Sequence, residues 1–234
     1  MEGYREFTFF RGRVRFRQPN YYRLSVVELL FLANLKGIRK SSKVVDLGSG
    51  FGALSLLIAL KYGCQVWAVE RDPHMLQLLS YNTRANGLED KVRPVELDIR
   101  HVDKVFRPQY FDVVVANPPF YRGGQKKDGY RHEKDTTLED FLKSTGFLLR
   151  DGGSLNLLIA SNRLIEAIFH MKNHNINVAS LRFFYPTLKK NGKIVRIHAL
   201  KNLNPDQVVE KPLIINEEKG GYTQEVRSIL EGFL

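Results

Sequence analysis

The period of the apolar positions changes along the chain, and each change marks an element. Residues 7–18 alternate around Gly12 in TFFRGRVRFRQ, which predicts a short β-hairpin carrying arginines on one face. Ser25 caps the stretch SVVELLFLANLKG, where apolar residues recur at helical spacing until Gly37 stops them. After the polar KSSK, strand patterns at 44–47, 65–69, 92–97, 111–116 and 154–160 alternate with helical ones at 53–62, 73–86 and 138–149. A helix over 162–174, strands over 178–184 and 194–200, and a short helix over 223–230 follow. Strands separated by helices of about ten residues imply right-handed crossovers, hence an α/β fold with a mostly parallel sheet covered on both faces. The last two strands, with only PTLKKNGK between them, predict an antiparallel hairpin. The one long unpatterned stretch, 122–137, is expected to be a lid or disordered.

Composition narrows the class. The 234 residues suit one sizeable α/β domain with a small N-terminal addition, and 43% apolar with 26% charged residues is ordinary for a soluble globular chain. No apolar run is long enough to cross a bilayer, and MEGYREFTFFRGR is too charged for a signal-peptide core, so a cytoplasmic protein is expected. Cys64 is the sole cysteine, which excludes an internal disulfide and a cysteine-built metal site. The net charge of +11 is unevenly spread: Arg5, Arg11, Arg13, Arg15, Arg17 and Arg23 come early, while Lys189, Lys190, Lys193, Arg196 and Lys201 come late. Brought together, these would form a basic rim suited to a phosphate backbone.

The chemistry concentrates at strand ends. VVDLGSGFGALSLLIAL places Gly48, Gly50 and Gly52 between a strand and a helix, where backbone can approach a ligand closely. As G-x-G-x-x-A with Glu70 about twenty residues later, it matches the dinucleotide fingerprint. As D-x-G-x-G-x-G it matches a second pattern, distinguished by Asp46, a carboxylate where a buried strand wants an apolar residue. Asp46 can hold an ammonium or order the loop, Glu70 can accept ribose hydroxyls, Asp98 can accept an adenine amino group, and Ile99 can pack on the ring. Farther on, VVANPPFY ends a buried strand in two prolines that cannot join a ladder. The rigid tip presents the Asn117 side-chain oxygen and the Pro118 carbonyl as acceptors, and Phe120 or Tyr121 as a stacking face, for a planar group carrying an amino nitrogen.

DLGSGFG and NPPF together resemble class I S-adenosylmethionine-dependent N-methyltransferases that modify amino groups, most closely the bacterial tRNA(Val) adenine-N6 enzymes that act beside the anticodon. The resemblance runs from about Arg15 onward, through RQPNYYRLSVVELLFLANL, YRHEKDTTLEDFL and RFFYPTLKKNGKIVRIHALK. It implies a Rossmann-like sheet of seven strands over residues 41–234, with residues 1–40 forming a basic hairpin and helix packed on it. It also implies S-adenosylmethionine held by Asp46, Gly48, Ser49, Gly50, Gly52, Glu70, Arg71, Asp98, Ile99 and Asn117, with catalysis by Asn117, Pro118, Pro119 and Phe120. The expected partner is RNA, tRNA first, held by Arg13, Arg15, Arg17, Arg23, Lys189, Lys190 and Lys193; no membrane and no metal is expected, and the protein should be a monomer. The family commonly has an acidic residue just after the helix-capping serine or threonine, where this chain has Val26 and Val27, and Glu28 is the nearest carboxylate. The loop keeps Arg131, His132 and Glu133 in a family-like order.

Four other functions fit parts of the pattern. Release-factor glutamine N5-methylation uses a similar tip but comes with a substantial helical N-terminal domain, and only about forty residues precede Val44. Ribosomal RNA guanine-N2 or adenine-N6 methylation is an alternative, the guanine enzymes often carrying a duplicated domain for which there is no room. DNA adenine methylation usually needs an added target-recognition region. An RNA-binding protein with a vestigial cofactor pocket is the non-enzymatic alternative, against which Asp46, Glu70, Asp98 and Asn117 stand together.

Overall fold

The computed structural model describes residues 3–118, 121–122, 132–133 and 136–233. A hairpin of β1 (Tyr4–Phe9) and β2 (Val14–Pro19) leads into α1 (Val26–Ala33). The alternating region holds β3 (Lys43–Leu47), α2 (Ala53–Tyr62), β4 (Gln65–Glu70), α3 (Pro73–Ala85), β5 (Val92–Glu96) and β6 (Phe111–Ala116). Next come the two-residue strands β7 (Tyr121–Arg122) and β8 (His132–Glu133), then α4 (Leu138–Leu148), β9 (Leu149–Ala160) and α5 (Leu164–Lys172). The chain closes with β10 (Ile176–Tyr185), β11 (Ile194–Lys201), β12 (Val208–Val209), β13 (Leu213–Ile214) and α6 (Gln224–Glu231).

The main sheet runs β12-β10-β11-β9-β6-β3-β4-β5, with β13 also on β10. Strands β5, β4, β3, β6 and β9 are mutually parallel, and β11 lies antiparallel between β9 and β10. Seven long strands were expected; among the described residues the sheet has nine, because β12 and β13 each add two residues alongside β10. Strand β9 also begins at Leu149 rather than 154, carrying Asp151, Gly152 and Gly153 through a register shift against β6. Helix α1 ends at Asn34 rather than Gly37, where the Asn34 side chain donates to the Leu30 carbonyl.

Local chemistry sets the starts of the helices. Ser25 and Glu28 form a reciprocal capping box on α1, Thr137 and Asp140 one on α4, and Asp72 caps α3 ahead of Pro73. Helix α2 has no side-chain cap, because its N-cap is Gly52 at φ 89°. A Cβ there would sit 2.3 Å from a Leu79 methyl, so that glycine is needed both for its backbone and for the approach of α2 to α3.

Two apolar clusters cover the faces of the sheet. One joins α1, α2 and α3 through Leu30, Phe31, Leu56, Ile58 and Leu79 and takes in Val14 and Phe16 of the hairpin; the other joins α4 and α5 through Leu142, Phe111, Leu155 and Met171. The hairpin lies along α3. Asn82 receives the Arg17 N–H and donates to the Arg17 carbonyl, and Asn86 repeats this with Arg15.

The order of the sheet places the site. From β3 the chain winds outward through β4 and β5, then returns to β6 on the other side of β3. The carboxyl ends of β3 and β6 therefore lead away from each other while lying side by side, with Leu47 opposite Ala116. A ligand crevice opens at such a reversal.

Candidate active site

The glycine loop leaves β3 at this reversal. Gly48 and Ser49 donate their N–H groups to the Val69 carbonyl, and the Gly50 N–H donates to Glu70 Oε2 at 2.8 Å. Glu70 Oε1 accepts from the Arg71 and Asp72 N–H groups at 2.8 and 2.9 Å. Glu70 Oε2 accepts one bond from Gly50 and retains capacity for a second, suited to a ribose hydroxyl. Gly50, at φ 57°, has nothing within 4 Å of the position a side chain would take.

Asp46 is 1% exposed and accepts from Ser55 Oγ at 2.6 Å, which ties β3 to the first turns of α2. Burial, reinforced by the charges of Glu70 and Glu28 and partly offset by Ser55, pushes its carboxyl up to about 7. Asp46 thus lies within the electrostatic reach of both Glu70 and Glu28, and a cationic group entering there would be stabilised by their negative charge.

On the next strands, Asp98 caps the 3₁₀ turn beginning at Ile99. Its carboxylate accepts from the Arg100 N–H and guanidinium and, at 3.4 Å, from Arg71; the Arg100 bonds above all hold its carboxyl well below the usual carboxylate range. Ile99 is buried against the second apolar cluster, its carbonyl taken by Ser144.

Asn117 follows β6 directly. Its Nδ2 donates to Glu28 Oε1 at 3.3 Å, and its Oδ1 is buried with no hydrogen-bond partner. Ser49 Oγ, across the crevice, is also buried without one. Leaving such an atom unpaired costs about 1–3 kcal/mol, so two of them at neighbouring strand ends suit a ligand that brings polar partners. Pro118 is buried; Pro119, Phe120 and Arg131 lie outside the described residues, as does most of the segment 122–137, though β7 pairs with β8 across it.

The structure divides the expected basic residues into two groups. The turn carrying Lys189, Lys190 and Lys193 is exposed and joined to Ser161 at the carboxyl end of β9, on the same rim as Asn117. The hairpin instead runs along α3 away from that rim: Tyr21 reaches His74 in the first turn, whereas Arg15 meets Asn86 about 18 Å farther along the helix. Arg13 and Arg15 are exposed at that far end, and Arg23 is exposed near the rim. The Arg17 guanidinium lies between the rings of Tyr4 and Tyr81, 4.3 and 3.6 Å from their centroids, and pairs with Glu6 at 2.7 Å.

The model of the methyltransferase small domain family matches residues 25–184. The chain belongs to that family. The methyltransferase is 25% identical over 212 residues to the tRNA1(Val) (adenine(37)-N6)-methyltransferase of Shewanella woodyi, covering 84% of this chain and 86% of that one. Among solved structures it resembles a predicted O-methyltransferase from Agrobacterium tumefaciens, with TM-score 0.73 at 19% identity, over 88% of this chain and 95% of that one. It also resembles the Thermus thermophilus 16S rRNA N2 G1207 methyltransferase in complex with AdoMet and guanosine, with TM-score 0.60 at 22% identity, over 85% of this chain and 50% of that one. Both likenesses are of fold. Among the described residues no helix of the methyltransferase is long and apolar enough to cross a membrane, and no cluster of three His, Cys, Asp or Glu could hold a metal ion.

The sequence carries no signal for Tyr22 or Ser55, and the resemblance marks Glu28 only as the carboxylate nearest the family's acidic position. The S-x-x-E spacing of Ser25 and Glu28 was a readable capping signal. Nothing in the sequence linked Glu28 to Asn117, 89 positions away.

Proposed function

We propose that the protein methylates the exocyclic N6 amino group of an adenine in tRNA, with S-adenosylmethionine as donor, and that the adenine beside the anticodon of tRNA(Val) is its target. The observation that carries this reading is the unpartnered, buried Oδ1 of Asn117 at the sheet reversal, beside a crevice lined by Asp46, Glu70 and Glu28. The Shewanella relative supports the choice of substrate.

S-adenosylmethionine supplies a methyl group activated by a sulfonium charge. The fit lies in the donor set: the acidic crevice complements that cation and the ammonium, Glu70 the ribose, and Asp98 the adenine amino group once one of its bonds to Arg100 or Arg71 is exchanged. Asn117 Oδ1 and the Pro118 carbonyl accept the two hydrogens of the substrate amino group. Holding both there favours the pyramidal geometry in which the nitrogen lone pair leaves the ring and can attack. The nitrogen would gain the methyl group as the carbon–sulfur bond breaks and the sulfur leaves as a neutral thioether, and one proton would pass to water, so alignment takes the place of a strong base. The rim lysines hold phosphates while the adenine leaves its stack, which is cheapest in a loop.

The test is methyl transfer from labelled S-adenosylmethionine into unmodified total tRNA, followed by nucleoside analysis, with Asn117→Ala as control. Label recovered as N6-methyladenosine only with the unsubstituted protein is expected. Label confined to ribosomal RNA as N2-methylguanosine, or to release-factor glutamine, overturns the reading.

A further inference from the structure

We infer that Glu28 is a positioning residue for the transfer step: its carboxylate fixes which way the Asn117 amide faces and so keeps Oδ1 turned toward the substrate. The inference rests on the methyl-transfer reading above and assigns a role to a helix that the two sequence motifs leave out.

A side-chain amide has nearly the same shape in its two flipped states but opposite chemistry. One end accepts hydrogen bonds and the other donates them. With Oδ1 toward the crevice, Asn117 accepts from an amino group; flipped, it would aim N–H donors at the hydrogens of that group and repel it. Neither the strand nor the prolines select between the two states.

Glu28 does. An ionised carboxylate can only accept, and Glu28 Oε1 lies 3.3 Å from Asn117 Nδ2. Flipping the amide would set Oδ1 against that carboxylate with no proton between them. Glu28 is itself held on both oxygens. Oε2 accepts the Ser25 N–H at 2.7 Å and the Ser25 hydroxyl at 2.9 Å, while Oε1 accepts the Tyr22 hydroxyl at 2.8 Å. The residue is 6% exposed. A capping box requires only the Oε2 side; the pairing of Oε1 with Tyr22 and Asn117 is additional and leads to the reacting end of the sheet. The Tyr22 ring also packs edge-on against Phe51 of the glycine loop, 5.9 Å between centroids. One short segment thereby touches the cofactor loop and orients the acceptor.

The test compares Glu28→Gln with Ser25→Ala, which weakens the cap but keeps Glu28 and its contact with Asn117. The expected result for Glu28→Gln is a fall in kcat of roughly 10–100-fold, with the cofactor Kd and the RNA KM within about threefold. Ser25→Ala should lower Tm and keep kcat within about threefold. In nitrogen-15 spectra the side-chain NH2 signals of Asn117, identified by their absence in Asn117→Ala, should move in Glu28→Gln and stay in place in Ser25→Ala. A Glu28→Gln enzyme with near-normal kcat, an equal kcat loss in Ser25→Ala, or unmoved amide signals in Glu28→Gln each overturns the positioning role. If the unsubstituted protein labels no RNA, the functional reading fails, and the amide signals alone decide whether Glu28 orients Asn117.

Discussion

In the antiparallel half of the sheet, β9, β11 and β10 bury Arg196, Lys201 and Asn156, and the fold supplies each with partners. Arg196, fully buried, donates to Ser180 Oγ and sits 2.7 Å from Glu210 as an ion pair off the hydrogen-bond axis; Lys201 donates to the Gly146 and Leu149 carbonyls, and Asn156 exchanges two bonds with the Lys36 backbone. In the parallel half, the polar atoms buried at the ends of β3 and β6, Ser49 Oγ and Asn117 Oδ1, have no partner. Both halves bury polar groups at a cost; Asp46 in the parallel half offsets it through Ser55, and in the antiparallel half each of these three side chains has partners within the chain, although Arg196 Nε has none. Polarity there joins elements: Arg196 and Ser180 hold the segment carrying Glu210, and Lys201 holds the end of α4. At the strand ends of the parallel half, polarity is left for a ligand to satisfy.

The sharpest way to break this comparison is to remove the unpartnered atom. Asn117→Ala should keep fold and cofactor binding while lowering turnover by about 10²–10³, the usual loss for a preorganised hydrogen-bonding group; near-normal turnover would place the chemistry elsewhere. Removing a partnered group should do the reverse. Arg196→Met should cost about 3 kcal/mol of stability in urea unfolding by leaving Glu210 without its buried partner, with turnover kept at a permissive temperature. Adding Glu210→Met should restore part of that loss.

Titration separates the halves with opposite signs. The folded value for Asp46, about 7, lies above its unfolded 3.8, so the fold binds the extra proton and stability falls as pH rises from about 4 to 7. His198, on β11, is pushed down to about 4 by burial and by the charges of Arg196 and Lys36, below its unfolded 6.5. The unfolded chain therefore binds that proton, and stability is lost as pH falls from 6.5 toward 4. The two trends oppose each other between pH 4.5 and 6.5, and Asp46→Asn should unmask a stability that rises with pH across that window; a profile unchanged by the substitution would show that Asp46 does not titrate there. The smallest effect concerns the rim: replacing both Lys189 and Lys190 with alanine should reduce the slope of log affinity for RNA against log salt by about 1.4–1.8 units, leaving cofactor affinity unchanged. An unchanged slope would remove those lysines from the interface.

The parallel half was the more legible in sequence. Runs such as VVDL and VVVA are buried on both faces and bounded by glycine or proline, and the expected bounds of β3, β4, β6, α2 and α3 fall within a residue of those observed. The antiparallel half was read less well. Asp151, Gly152 and Gly153 read as a turn, yet they are carried inside β9, and Val208–Val209 and Leu213–Ile214 are too short to leave a periodic signal on either side of Pro212. In the site, Asp46 was found as a carboxylate inside a buried strand ahead of the glycines, and Glu70, Asp98 and Asn117 because each lies at or just past the end of its strand. Glu28 reaches Asn117 only through tertiary packing, with Tyr22 bonded behind it, and the same holds for the two tyrosines around Arg17.

Asn82 joins the hairpin to the crevice in one more respect. The side chain that bonds Arg17 also donates to the carbonyl of Phe51 in the glycine loop, at 2.8 Å. Opening of the hairpin and opening of the loop therefore break bonds to one amide, and the two should exchange hydrogen with solvent as a single cooperative unit. A cofactor that never touches β2 would then slow exchange at the Arg17 N–H, making that remote proton a gauge of crevice occupancy.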